Sequence, residues 1–488
     1  MAIKKSRIRT RRLVGGEDGG GGPAMRKQNE IHFFPPAADK EPRSFFHVRR
    51  QMPVGQGGLH VGGLRFMADV PSLRSEPKAG AARFSGAEFL YVYDCGSEPK
   101  KHVYREIRNL LACRPDRHLD VLILSHFDRD HICGTPRLLR KSDGFRVDTI
   151  ILPFVDMDER IVALARAAAA TEAFGGQIDS FFVDMVFDPA TTLAAFGPRR
   201  IVFVRGDGDD GRGGPDAAPD PEGGLDPRFS RERDGPVRVD LKPAYPGDPQ
   251  RPLELITRGY ARNSLLLEVR HAAAVIHDPS WSMQWKLVPW VRPANRAAIA
   301  AFRAGVETLF KWKKGTFDTR ITDANVRKQM VTTKRTGLAK VYKAAFGDKN
   351  LTSLCLYSGL VAPAEADALA FEPMMSEHAL TKIGWVGTGD AHLVEPTERA
   401  ALAYGYGVDL DHVSTFMFPH HGSIKNSDPA NLVSDADHWV ASADPIHDWE
   451  HPHWSLRQAV SDLGRAFHHV RSPEATGYDE TFLVSPKL

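Results

Sequence analysis

Residues 124–134 read LSHFDRDHICG and close the apolar run Val121-Leu122-Ile123-Leu124. An aliphatic run of this length, ending in polar residues, predicts a buried strand over 120–125. A strand end is a rigid platform, and the loop that leaves it can aim several side chains at one point. His126, Asp128, Asp130 and His131 crowd that loop. Two imidazoles and two carboxylates so close together lose hydration and repel one another unless something positive lies among them. A divalent cation removes both costs, because neutral imidazole and carboxylate are its natural ligands. The bland alternative is a chance cluster on a solvated loop.

Other stretches repeat the pattern of a strand followed by a ligand-type residue. YDCG places Asp94 after the strand-like segment 88–93 (EFLYVY). WVGTGDAHL (385–393) places Asp390 after a strand and a glycine-rich turn, and FMFPHHGS (416–423) places His420 and His421 after another. One pocket at a sheet edge needs carboxylates and imidazoles arriving from several strand ends, and a carboxylate such as Asp390 can bridge two cations. Segments 44–48, 148–152, 264–269, 353–357 and 383–387 also have strand composition. Val103, Ile107, Leu110 and Leu111 recur at helical spacing, and 158–174 is an alanine-rich helix pattern. Strands alternating with helices predict an α/β layered fold.

The bulk numbers narrow the classes. The chain has 488 residues, 42% of them apolar, and a formal net charge of only +3. A nucleic-acid or membrane partner therefore has to be argued from local patches. The four cysteines, Cys95, Cys113, Cys133 and Cys355, form no CxxC pair, which fits a reducing compartment. No apolar run approaches the roughly 18 residues of a membrane span. The basic N-terminus has no apolar segment behind it and does not read as a signal peptide. The expectation is a soluble cytoplasmic protein with no membrane partner.

Three regions stand outside the rhythm. Residues 1–28 combine Lys4, Lys5, Arg7, Arg9, Arg11 and Arg12 with a glycine run, and read as a disordered basic arm, either a solvated tail or a contact for phosphates. Residues 205–251 are rich in Gly, Asp and Pro and read as a flexible loop. Residues 285–347 read as a basic helical insert. It carries Arg303, Lys311, Lys313, Lys314, Arg320, Arg327, Lys328, Lys334, Arg335, Lys340 and Lys343, with Trp312 and Phe317 between them. Such a segment is either a solvated helical face or a patch for a polyanion backbone.

The motifs, taken together, carry a resemblance. His126-Phe127-Asp128-Arg129-Asp130-His131 resembles the HxHxDH signature of the metallo-β-lactamase superfamily, with Asp128 in place of the second histidine. That HxDxDH form resembles the hydrolase domain of the ComEC competence proteins and their free-standing relatives. VGQGG (54–58), YDCG (93–96), the stretch from NLTSL (350–354) to GTGD (387–390), PHHGS (419–423) and HPHW (451–454) resemble further motifs of that group, in the same order along the chain. One departure is clear. The superfamily's isolated third histidine has no counterpart; His271 and His277 lie in the right interval, without a familiar motif around them.

The resemblance implies a four-layer αββα sandwich over 29–488, interrupted by the loop at 205–251 and the helical insert at 285–347. It implies two divalent metal ions, zinc by default. Manganese is the alternative, because Asp128 makes the first site richer in oxygen. His126 and Asp128 would hold one ion. Asp130 and His131 would hold the other, joined by His420 or His421, with His420 favoured as nearer the strand. Asp390 would bridge, and Asp94 would orient a ligand from behind. Ser423 and Lys425 would meet substrate phosphate, and His451 would line the pocket. Asp130, His131 and Asp390 would be the catalytic centre, in which water ionised at the metals attacks the substrate. The implied function is a metal-dependent phosphodiesterase or nuclease, acting on nucleic acid or a small phosphodiester. The alternatives are a hydrolase of a small ester, such as a cyclic nucleotide, phosphocholine ester, lactone or lactam, and a degenerate non-catalytic scaffold or sensor.

Overall fold

A strand that is apolar on both faces belongs in the middle of a layered structure. The segment Phe89–Tyr93 shows this directly: Phe89, Tyr91 and Tyr93 enter one buried cluster, Leu90 and Val92 another. The computed structural model describes residues 44–66, 80–155, 159–165, 167, 179–207, 237–277, 283–292, 296–346, 353–372, 380–445 and 450–487. The expected basic arm, 1–28, and residues 208–236 of the expected loop lie outside the described residues.

The strands are, in chain order, β1 (Phe45–Gln51), β2 (His60–Phe66), β3 (Phe89–Tyr93), β4 (His118–Ile123), β5 (Arg146–Pro153), β6 (Arg200–Val204), β7 (Arg238–Pro243), β8 (Glu254–Ala261) and β9 (Ser264–Arg270). They continue as β10 (Ala272–His277), β11 (Trp285–Val291), β12 (Leu354–Leu360), β13 (Ala366–Glu372), β14 (Gly384–Gly387), β15 (Val413–Met417), β16 (His438–Ser442), β17 (Ala466–Val470) and β18 (Tyr478–Pro486). They form a ten-stranded sheet, ordered β13-β18-β1-β2-β3-β4-β5-β6-β9-β8, and an eight-stranded sheet, ordered β17-β16-β15-β14-β12-β11-β10-β7.

Three apolar clusters give the layering. Phe45, Tyr91, Val121, Trp285, Leu356 and Trp385 pack between the sheets. Val92, Leu122 and Ile150 pack outward against Ile107 and Leu110 of the helix Lys101–Cys113. Val386, Phe416 and Trp439 pack outward against Leu402 and Leu456, which lie on the helices Pro396–Tyr406 and Trp454–Asp462. The molecule is thus an α/β sandwich with helices on the outer face of each sheet, as the alternation of strand and helix patterns predicts. No helix among the described residues is long and apolar enough to cross a membrane.

One polar crossing ties the sheets together. Arg49 on β1 donates to Glu480 of β18 at 2.6 Å, with both side chains buried, and reaches across to Ser414 Oγ and the Ile383 carbonyl at 2.8 Å each. A fully hydrogen-bonded guanidinium–carboxylate pair tolerates burial where a lone charge does not.

Two expected boundaries move. The insert was expected from residue 285, but Trp285–Val291 is the strand β11, buried along its whole length and paired with β12. Its alternate residues Trp285, Leu287 and Val291 fill the inter-sheet core, which a solvent-exposed helix would forfeit. The insert's helices are Arg296–Phe310, Phe317–Ile321, Ala324–Val331 and Arg335–Phe346. Within the expected loop at 205–251, residues Arg238–Pro243 form the edge strand β7, paired with β10.

Parallel strands matter most for the site. β3, β4, β5, β6 and β9 run parallel in one sheet, and β14, β15, β16 and β17 in the other. In parallel sheets the loops leaving the carboxyl ends form the crevice where ligands bind.

Candidate metal centre

Each expected ligand leaves the carboxyl end of a strand. Asp94 follows β3, the 126–131 cluster follows β4, Asp390 follows β14, and His420 and His421 follow β15. Three of these residues have left-handed backbones: Asp94 (φ 60°), His420 (φ 48°) and His421 (φ 60°). Such geometry costs a residue with a Cβ about 1–2 kcal/mol. It is held at a site where surrounding structure over-determines it.

Asp94 is the organiser. Its carboxylate accepts from the Ser125 backbone N–H at 2.7 Å, from Ser125 Oγ at 2.8 Å and from His131 Nδ1 at 2.8 Å. Ser125 Oγ has thereby used its only proton, so at 2.8 Å from His126 Nδ1 it can only accept. His421 Nδ1 lies 2.9 Å from the Ser442 carbonyl oxygen, which also only accepts. His420 Nδ1 lies 2.8 Å from Asn426 Oδ1, and the amide's orientation follows from Asn426 Nδ2 donating to the carbonyls of Asp390 and Ala391. Every one of these four imidazoles therefore carries a proton on Nδ1 and turns Nε2 inward.

What the Nε2 atoms meet is carboxylate. His126 Nε2 is 3.4 Å from Asp128 Oδ2 and 3.3 Å from Asp390 Oδ2. His420 Nε2 is 3.8 Å from the same Asp390 Oδ2. His131 Nε2 is 3.2 Å from the other oxygen, Asp390 Oδ1, and 4.0 Å from Asp130 Oδ2. His421 Nε2 is 2.9 Å from Asp130 Oδ2. The 2.9 Å contact from His421 to Asp130 is within hydrogen-bond range, and imidazole nitrogen set this close to carboxylate oxygen calls for a shared positive charge, supplied either by a second ring proton or by a cation. The two groups with ligand geometry among the described residues are His126, His131 and Asp390, and Asp130, His131 and His421.

Protonation follows the same logic. Burial opposes charge on His131, yet Asp94, Asp390 and Asp130 hold its pKa well above the usual imidazole range. Burial likewise opposes charge on Asp390, but His420, His126 and His131 hold it well below the carboxylate range. Against burial, His131 and His421 lower Asp130 in the same way. His451, its ring centroid 5.5 Å from that of His420, is lowered to about 3 by burial and its neighbouring imidazoles. Asp130 and Asp390 are thus held ionised among the imidazoles.

Most of the residues expected from sequence meet here: His126, Asp128, Asp130, His131, Asp390, His420 and His421, with Asp94 behind them and His451 at the edge. One expectation changes. His421, rather than the favoured His420, joins Asp130 and His131, because successive left-handed residues send their side chains apart. His420 turns to the His126 side, its Nε2 3.8 Å from Asp390 Oδ2, while His271 and His277 bond Asp207 and Asp240, at 2.7 Å each. Ser423 is buried and accepts from the Lys425 N–H at 3.2 Å, while Lys425 is exposed.

Ser125 and Asn426 were missed. Ser125 sits inside the opening stretch, directly before His126, and its position was the available signal. Asn426 had none, since only the folded turn brings it to His420. Arg129, between two of the acids, was also passed over; its guanidinium reaches Glu98 at 3.1 Å on the rim.

A cavity of about 40 Å³ lies against the centre, lined by residues including Asp94, His131 and His421. A larger groove, about 900 Å³, runs between the helices Pro396–Tyr406 and Trp454–Asp462 and contains none of the ligand-type residues. Size does not locate the chemistry here; the convergence of imidazole and carboxylate does. No protein-family model matches the chain, and no curated protein matches it.

Proposed function

We propose that this chain is a metal-dependent hydrolase of phosphodiester bonds, built on a metallo-β-lactamase-like sandwich and using two divalent cations. The observation that carries the reading is the set of four Nε2 atoms, each on a ring whose Nδ1 is already engaged and each turned toward carboxylate oxygen. His126, Asp128, His420 and Asp390 Oδ2 would hold one cation; Asp130, His131, His421 and Asp390 Oδ1 the other. Asp390 is placed to bridge, one oxygen to each side. The donor set of imidazole nitrogen and carboxylate oxygen suits zinc, with manganese as the harder alternative. Bound there, the cations supply a lowered water pKa and stabilise charge developing on substrate oxygens.

The chain's own residues do the rest. Asp94 and Ser125 fix the tautomers of His131 and His126, Ser442 that of His421 and Asn426 that of His420. Supporting partners of this kind hold ligand rings in place and raise their basicity.

The test is to load purified protein with Zn²⁺ or Mn²⁺, count metal per chain, and assay bis(p-nitrophenyl) phosphate together with labelled DNA and RNA. Two metals per chain and hydrolysis are expected, with Asp130→Ala and His131→Ala folded but inactive. Metal-loaded protein that cleaves no phosphodiester would falsify the reading.

A further inference from the structure

The helical insert begins and ends at the metal centre. Val291, the last residue of β11, pairs with Leu354, the first of β12. The Leu354 N–H donates to the Ser125 carbonyl at 2.7 Å, and the Asp390 N–H donates to Ser353 Oγ at 3.1 Å. From there, the helix Arg296–Phe310, with 15 residues, extends about 22 Å at 1.5 Å per residue. The helix Arg335–Phe346 returns against it. Gly305 packs on Val341 and Gly337 on Leu309, where a Cβ would lie 2.6 Å and 2.4 Å from the neighbouring side chain. Glycine at both crossings lets the two helices run antiparallel in close contact.

This hairpin has two unlike faces. Ile299, Phe302, Val306, Leu338, Tyr342 and Phe346 join the core over the ten-stranded sheet. Lys311, Lys313, Lys314, Lys340 and Lys343 are exposed. Lys340 and Lys343 share one face of the returning helix, being three residues apart. The insert's acids do not offset them. Glu307 is buried and accepts from the backbone N–H groups of Gly315, Thr316 and Phe317 at 2.8, 2.9 and 3.0 Å. Asp318 pairs with Arg303, and Asp323 accepts from the Asn325 N–H at the start of the next helix. Glu307 thus pins the turn that displays Lys311, Lys313 and Lys314.

Aromatic stacking is not what this face offers. Phe317 is fully buried, and Trp312 is half-buried against Phe310 at 4.7 Å between ring centroids. Arg327 lies over Phe187 and donates to the Ile321 carbonyl. What the turn and the returning helix expose instead is ammonium, at Lys311, Lys313, Lys314, Lys340 and Lys343, a group that recognises phosphate without reading bases.

We propose that the lysine-bearing outer face of this hairpin is a docking surface for the phosphate backbone of a nucleic-acid strand. The proposal rests on the phosphodiesterase reading for its purpose, but its test does not. Binding of the full chain, kept in EDTA, to a labelled single-stranded oligonucleotide is followed by fluorescence anisotropy between 50 and 200 mM salt. The variant carries Lys311→Gln, Lys313→Gln, Lys314→Gln, Lys340→Gln and Lys343→Gln; the control carries Lys101→Gln and Lys141→Gln, exposed elsewhere. The five-site variant should bind at least tenfold more weakly, with a salt slope reduced by about 0.7 for each lost phosphate contact. The control should stay within twofold. Affinity and slope unchanged in the five-site variant, with a wild-type circular dichroism spectrum, would overturn the proposal, as would equal competition by polyglutamate. Loss of strand binding without any hydrolysis by metal-loaded wild type would leave the surface standing and remove only the phosphodiesterase reading.

Discussion

Two clusters of charge lie buried in this sandwich, and they are solved in opposite ways. Between the sheets, Glu480 is matched by Arg49 from the neighbouring strand at 2.6 Å, with Ser414, Thr415 and the Ile383 carbonyl completing the bonds. At the strand ends, Asp94 meets His131, Asp130 meets His421, and Asp390 meets His126 and His131, so that carboxylate faces imidazole rather than guanidinium in each of these contacts. The first cluster is complete within the chain and serves the fold. The second gathers imidazole and carboxylate from four strand ends, the donor set we propose for the cations. Burial alone separates nothing here, since both clusters are buried.

The contrast can be broken most decisively at the bridge. Asp390→Ala takes oxygens from both sides at once, so metal content should fall below one per chain and phosphodiester hydrolysis should drop at least about 1000-fold, a loss of roughly 4 kcal/mol of barrier lowering. Elemental analysis and the model-ester assay read the two effects separately. Retained metal with retained rate would mean that Asp390 bridges nothing.

The self-sufficient pair should fail differently. Arg49→Ala leaves Glu480 buried without its partner, and about 3–5 kcal/mol of stability should be lost in urea melts. Burial pushes the Glu480 pKa up, but Arg49 more than offsets it and the folded value lies below the ordinary 4.5. The sign follows: this stabilisation is full above about pH 4.5 and disappears as pH falls through the folded value. Melts at pH 7 and pH 3 should therefore show the gap between wild type and variant closing in acid. A gap that is constant with pH would show that the pair's charge does not matter.

The smallest effect sharpens the comparison. Asp94→Asn keeps the shape behind His131 but removes the charge, and should weaken metal affinity about 10- to 100-fold with little change in melting temperature of the metal-free protein. An unchanged metal affinity would reduce Asp94 to a turn-forming residue.

Legibility in the sequence tracked how local each feature is. LSHFDRDH announced itself because its ligand-type residues sit within one loop at a strand end, and Asp94, Asp390 and the 420–421 pair each followed a strand pattern. The layered fold was legible for the same reason, since strands such as Phe89–Tyr93 are apolar on both faces. Trp285–Val291 was misread as the start of the insert: a short apolar run carries no periodicity that separates a buried strand from a helix. Phe317, among lysines in the sequence, proved to be core.

By itself, the amino-acid order determined which side chains were available for chemistry and that each would sit at the end of a strand, because residue type and hydrophobic period are local properties. Which histidine serves which side, how Asp390 divides its oxygens between them, and that the lysine-bearing hairpin springs from the same strand ends were decided only by tertiary structure. Those outcomes depend on left-handed turns and on the pairing of strands far apart in the chain, and no local pattern encodes the direction in which a side chain finally points.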